Sequence, residues 1–150
     1  MAQDYIKAIG LRGGYSGGID YKYFINDDYA YEGILTMRWG GTKLTALKAY
    51  HQPFMWNYSD KIFTYWGYGA HVGHYNKFSY SYFMSPSSRP IRRNLYYTVI
   101  GLDGVLGIEY RVLKYPIVFS VEYIPYFDLF GPNYFNFHFG DGFISIRYTF

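Results

Sequence analysis

The feature that most constrains this chain is a period-two alternation of side chains that recurs along most of its length. In the clearest segment, 99–111, one face carries bulky apolar residues such as Ile100, Leu102 and Leu106. The other face carries small and charged residues such as Gly101 and Asp103. Because successive side chains of a strand point to opposite faces, this segment predicts a strand with one apolar face and one small or charged face.

Similar alternation, bounded by turn residues, occurs in seven further segments: 8–12, 19–24, 30–39, 43–51, 64–73, 118–128 and 143–150. In segment 43–51 either face could be the apolar one. An even number of strands puts both termini at one end and lets the first strand pair with the last. The sequence therefore predicts one domain over residues 1–150: an all-β, closed, eight-stranded antiparallel transmembrane β-barrel.

The connections between the segments differ in length. Tight turns are predicted at 13–18, 26–28, 40–41 and 113–116, two longer connections at 52–60 and 76–94, and a further connection at 131–136. With the N-terminus in the periplasm, 76–94 and 131–136 fall on the outer side of the membrane and 52–60 on the periplasmic side.

Composition narrows the class of protein. Aromatic residues make up 25% of the chain, more than one soluble core can bury. The net charge is only +3, and there is no long basic run, so nucleic acid is not an expected partner. The chain has no cysteine, which excludes disulfides and thiolate metal sites. No apolar run approaches the roughly 18 residues of a transmembrane helix.

Alternation alone does not say which face is inside, since a soluble carrier barrel of the lipocalin type alternates too. The interior of an eight-stranded barrel is just wide enough for side chains to fill, and the bulky apolar rows here would overfill it. The opposite rows are rich in glycine and carry both signs of charge, as enclosed ions that must pair require. We therefore predict an interior charge network formed by Arg12, Asp20, Lys22, Glu32, Arg38, Asp103, Glu109, Arg111, Glu122 and Arg147.

The lipid-facing rows should end in belts of aromatic residues at the two membrane interfaces. Candidates for these belts are Tyr21, Tyr23, Trp39, Trp66, Tyr110 and Tyr148. The last strand alternates Ile144, Ile146, Tyr148 and Phe150 and stops at the aromatic residue. Such an ending resembles the carboxy-terminal signal that the insertion machinery reads in outer-membrane barrels. The start, Met1 to Asp4, reads as a mature N-terminus, so we expect the native gene to encode a cleaved leader upstream.

Several short motifs together resemble a known group of proteins. They are Glu32-Gly33-Ile34-Leu35, Arg38-Trp39-Gly40-Gly41, His51-Gln52-Pro53, Gly69-Ala70-His71-Val72-Gly73 and Ile146-Arg147-Tyr148-Thr149-Phe150. The chain resembles the small outer-membrane β-barrel proteins of Bacteroidota. That resemblance implies a fold and a location in the outer membrane of a Gram-negative bacterium, and it implies no catalytic activity.

Candidate chemistry is sparse. His71 and His74 are three residues apart in a strand and so point to opposite faces, which does not suit a shared metal. No cofactor and no metal are therefore expected. The glycine run at 67–73 lacks the strand-to-helix context of a nucleotide site, so it is interpreted as interior packing. A lipid-modifying enzyme at the outer rim is the second hypothesis, with candidate residues His74, Ser79, Ser81, His138 and Asp141.

The longest connection carries three arginines, Arg89, Arg92 and Arg93, which suit lipopolysaccharide phosphates. Phe78, Tyr80, Tyr82 and Phe83 lie nearby and suit a protein interface within a larger outer-membrane assembly. The sequence therefore predicts a non-enzymatic outer-membrane barrel with a plugged polar lumen, serving a structural role or binding through its loops. Expected partners are the bilayer, lipopolysaccharide and the insertion machinery. A soluble lipocalin-like carrier is the third hypothesis.

Overall fold

A computed structural model describes residues 5–38, 41–54, 61–79, 93–131 and 136–150. Within these ranges it contains eight strands: β1 (Lys7–Gly14), β2 (Gly17–Asn26), β3 (Tyr29–Arg38), β4 (Gly41–Pro53), β5 (Ile62–Ser79), β6 (Arg93–Val112), β7 (Ile117–Phe130) and β8 (Asn136–Thr149). No helix in the described part of the chain is long and apolar enough to cross a membrane.

Each strand pairs antiparallel with its neighbour in sequence, and β1 pairs with β8 to close the barrel. The prediction of an all-β, closed, eight-stranded antiparallel barrel is confirmed. Both termini, the turn at Asp27–Asp28 and the turn at Leu113–Pro116 lie at one end, called here the termini end. The opposite end, which includes the turn at Tyr15–Ser16, is called the loop end.

The strands β5 and β6 are longer than the alternating pattern predicts. Residues 76–94 were predicted to be a connection, but β5 continues to Ser79 and β6 begins at Arg93. At the loop end β4 pairs with β5 only as far as Tyr75, so residues 76–79 pair with β6 alone. A two-stranded ribbon that extends past the wall has no interior to fill and needs no apolar alternation, which is why the sequence pattern does not mark it.

One irregularity bends the barrel near the loop end. The pairing of β7 with β8 shifts register between Ile124 and Tyr126. The extra residue is on β8, where Phe139 and Gly140 lie opposite the single residue Pro125; Gly140 has a φ of 92°, and a Cβ there would meet the backbone of Ile124. Only glycine adopts this backbone conformation at little cost, so the bulge depends on it.

The two faces of the wall have opposite chemistry. Bulky apolar side chains point outward, including Leu106 at 56% exposure and Ile144 at 64% exposure. The side chains between them point inward and are buried, and they include most of the charged residues. On β4, whose sidedness the sequence left open, Thr45, Leu47 and His51 face inward.

Candidate functional site: the polar interior

The interior collects most of the charged residues that the sequence predicted there. Nine of the ten are buried: Arg12, Asp20, Lys22, Glu32, Asp103, Glu109, Arg111, Glu122 and Arg147. The side chain of Arg38 lies outside the described part of the structure. The strand register sorts the described interior groups into layers, from the termini end to the loop end.

Arg147, on β8, is the centre of the largest layer. Its Nε donates to Asp20, and its Nη2 donates to Glu122 and, at 2.8 Å, to Glu32. Its Nη1 donates to the Ser120 hydroxyl at 2.6 Å. All four donor bonds are enclosed, so one guanidinium joins strands from both sides of the barrel.

Two more cations complete this layer. Arg12 donates to Glu122 and lies 3.7 Å from Glu32. The Lys22 ammonium lies 3.5 Å from Glu32 and 3.4 Å from Glu109. Pairing of this kind is what permits such groups to stay ionised away from water, because an isolated buried charge is strongly unfavourable.

Hydroxyl groups donate to two of these carboxylates, Glu109 and Glu122, and the charge pattern of the sequence does not identify the donors. Tyr65 donates to Glu122, Tyr5 donates to Glu109 at 2.5 Å, and Ser120 donates to Glu122 at 3.0 Å. Burial, together with the charge of Glu109, raises the pKa of Tyr5 well above its ordinary value, so Tyr5 remains a donor. The sequence indicates only that Tyr65 faces the interior, because it alternates with the inward residues of β5.

The glycines of the inward rows make room for these larger groups. A Cβ on Gly107 would collide with the Tyr65 ring, and a Cβ on Gly10 would lie 2.5 Å from Asp20 and 2.6 Å from Arg147. The inward glycines and the charged network therefore depend on each other, because a glycine on one strand leaves space for a long polar side chain from another strand.

Apolar residues lie on both sides of the central layer. Toward the termini end, Tyr5, Phe24 and Val118 form one cluster with two alanines. Toward the loop end, a second cluster includes Ile34, Leu47, Val105, Ile124 and Phe143. The central ions are thus enclosed between apolar side chains.

A second polar group lies beyond the apolar layer, near the loop end. His71 Nδ1 lies 2.7 Å from Asp103, and its Nε2 lies 3.1 Å from Asp128. Lys43 lies 3.5 Å from Asp103, and its ammonium lies over the Tyr126 ring at 4.2 Å. His71 and its carboxylates thus lie inside the barrel, whereas His74 is exposed on the outer face, where it stacks on Tyr96.

Asp20, Glu32 and Glu122 bring carboxylate oxygens close enough together to hold a metal ion. In this structure the same three carboxylates surround the Arg147 guanidinium. Their chemistry is therefore that of an anion cluster paired with internal cations, since Arg12 and Lys22 contact the same carboxylates.

The structure describes few of the remaining predicted site residues. Ser81, Arg89 and Arg92 lie outside the described residues, as do the side chains of Ser79, Arg93 and His138. Asp141 is half-buried at the loop-end part of β8. The geometry that a rim enzyme would need is not assembled by the described residues among them.

On the outer face, Ile144, Ile146, Tyr148 and Phe150 form an exposed row along β8 and the residue after it. Of the predicted aromatic belt, Tyr21, Tyr23, Trp66, Tyr110 and Tyr148 are exposed there, and Trp39 lies outside the described residues.

The fold and its side-chain distribution define a class: small closed antiparallel β-barrels with an apolar exterior and an ionic interior. Two solved structures are similar in fold. The N-terminal β-barrel domain of Pseudomonas aeruginosa OprF aligns with TM-score 0.59 and 11% identity over 100% of both chains. Neisserial surface protein A (NspA) aligns with TM-score 0.59 and 14% identity over 96% of this chain and 93% of that one. No protein-family model and no curated protein matches the sequence.

Proposed function

We propose that this protein is an integral outer-membrane β-barrel with a non-enzymatic role, structural or loop-mediated, and with a lumen closed by its own side chains. The proposal depends on one observation: in this closed barrel the apolar side chains lie outside and the charged side chains inside, the opposite of a soluble protein. Leu106 and Ile144 are more than half exposed, while Arg147 and Glu109 are fully buried. In water such an exterior is unfavourable, whereas acyl chains match it.

The fold similarity to a bacterial barrel domain and to a Neisserial surface protein supports the location. An origin in Bacteroidota belongs to the same proposal and depends on the sequence motifs alone.

Refolding tests the membrane assignment. Purified protein diluted from urea into detergent or lipid vesicles should give a compact form whose gel mobility changes on heating. Dilution into plain buffer should give aggregates. A folded, monodisperse monomer in plain buffer would contradict the proposal and favour the soluble carrier.

Loop-mediated binding is the finer part of the proposal. It is supported by the ribbon of β5 and β6, which extends beyond β4 at the loop end and leads into the segment with Arg89, Arg92 and Arg93. Arginine forms paired hydrogen bonds with phosphate, so lipopolysaccharide is the proposed ligand of this segment, within a larger assembly or alone.

A triple variant, R89Q/R92Q/R93Q, should lose retention of lipopolysaccharide on the folded protein. The matched control, K7Q/K61Q/K114Q, removes three cations from the termini end and should retain it. Equal retention by both variants would exclude the arginines as the binding group.

A further inference from the structure

Lys48 is exceptional on the outer face of the barrel. Among the side chains that the structure describes, it is the only charged group that points outward from the interior of a strand. Lys7 is the first residue of β1, and Lys61 and Lys114 lie in turns. A cation in a wall that faces lipid is unfavourable unless its ammonium reaches a polar or anionic group.

The ammonium of Lys48 is directed toward the termini end, where it meets tyrosines. It lies 4.5 Å from the centre of the Tyr29 ring and 5.3 Å from that of Tyr50. Tyr29 is the first residue of β3, directly after a turn, so the ammonium lies near the rim. Tyrosine is the residue type enriched where hydrocarbon meets headgroups.

On the other side of Lys48 the wall has a shallow depression. Gly33, Ala46 and Ala70 are direct partners on three neighbouring strands, and all three are exposed. A Cβ added to Gly33 would meet nothing within 4 Å. The row beyond them is bulky, with Leu44 and Val72 exposed, and the row on the rim side contains Tyr31, Lys48 and Tyr68.

The two features form one site. A phospholipid has a phosphate at the interface and an acyl chain that extends toward the membrane centre. The Lys48 ammonium and the tyrosine hydroxyls offer donors for the phosphate, and the small residues offer apolar space for the start of the chain. The charge of Lys48 and the shape of the surface formed by the small residues therefore both fit a phospholipid.

From this geometry we propose that the outer wall binds a phospholipid, with its phosphate on Lys48 and an acyl chain over Gly33, Ala46 and Ala70. The inference rests on the proposed membrane location. It adds a specific lipid site to a face that otherwise contacts lipid without selection. Dioleoyl phosphatidylglycerol is the probe, because its headgroup is anionic and carries no amine to compete with Lys48.

The experiment measures retention of this lipid on the folded protein in detergent by native mass spectrometry. K48Q should weaken binding about fivefold, as expected for loss of one lysine beside an anionic lipid. The double variant A46L/A70L should also weaken binding, although it retains the lysine. K114Q removes an exposed cation from a turn and should bind like the unmodified protein.

Two outcomes would overturn the site. The first is equal affinity for K48Q and K114Q. The second is displacement of the lipid by millimolar inorganic phosphate together with no effect of A46L/A70L, which would show a free-phosphate site. Heat-modifiable mobility and vesicle insertion are measured on the same samples. Failure of the unmodified protein to insert would defeat the membrane proposal, whereas insertion with unchanged lipid affinity in K48Q would defeat this inference alone.

Discussion

Arg147 is ion-paired with three carboxylates, so its replacement affects several buried charges at once. In R147M the aliphatic part of the side chain is nearly kept and the guanidinium is lost, which removes the cation that Asp20, Glu32 and Glu122 share. Removing one partner of a buried ion pair costs about 3–5 kcal/mol. We expect the free energy of unfolding, measured by urea titration of the refolded protein in vesicles, to fall by about that amount.

K114M is the control, since Lys114 is exposed in a turn. It should leave the urea midpoint unchanged. If R147M were as stable as K114M, the network would not contribute to stability.

Gly69 tests the close approach of neighbouring strands. A Cβ on Gly69 would collide with the backbone carbonyl of Ala46, and backbone atoms cannot move aside as a flexible side chain can. We expect G69A to lose about 1–3 kcal/mol, the range of overpacking. G13A is the comparison, because a Cβ there meets nothing within 4 Å. Equal urea midpoints for the two variants would contradict this account of the wall.

At the scale of the strands, Leu106 tests which face meets lipid. It is exposed on β6 and lies well inside the apolar wall. Arginine on the lipid face near the bilayer midplane costs about 2–4 kcal/mol, so L106R should insert poorly into vesicles. L113R changes a residue of similar exposure in a turn and should insert normally, as measured by the heat-modifiable fraction. Normal insertion of L106R would mean that the faces are reversed.

Phe150 tests the prediction that the last strand is recognised by the insertion machinery. Phe150 is exposed and stacks on Tyr148 with ring centres 6.3 Å apart, so it contributes little to interior packing. F150A should refold in detergent like the unmodified protein, while its assembly in cells, followed by surface labelling, should fall severalfold. An equal loss in both measurements would point to a packing role instead of a recognition signal.

The strands could be predicted where one face is apolar and the other small or charged, as in β6 near Leu106. The ends of the strands could not be predicted where that contrast is absent, which is why the extension of β5 to Ser79 was not predicted. In the interior, charge and inward register identified Arg147 and Glu122. The alternation places Tyr65 on the inward side with Gly67, but its hydrogen bond to Glu122 could not be predicted, because β5 and β7 are not neighbours in the barrel.

For the whole molecule, the interior layers predict a barrel that does not conduct. The central ion layer lies between apolar clusters that include Phe24 on one side and Phe143 on the other, and the Arg147 and Glu109 side chains are fully buried. In a narrow eight-stranded barrel filled in this way, we expect no continuous water path. Inserted in a planar bilayer, the protein should therefore give no stepwise conductance in molar potassium chloride, with a sixteen-stranded porin as the positive control. Regular conductance steps that scale with the amount of inserted protein would require an open lumen, and they would overturn the closed-lumen part of the proposed function while leaving the membrane assignment intact.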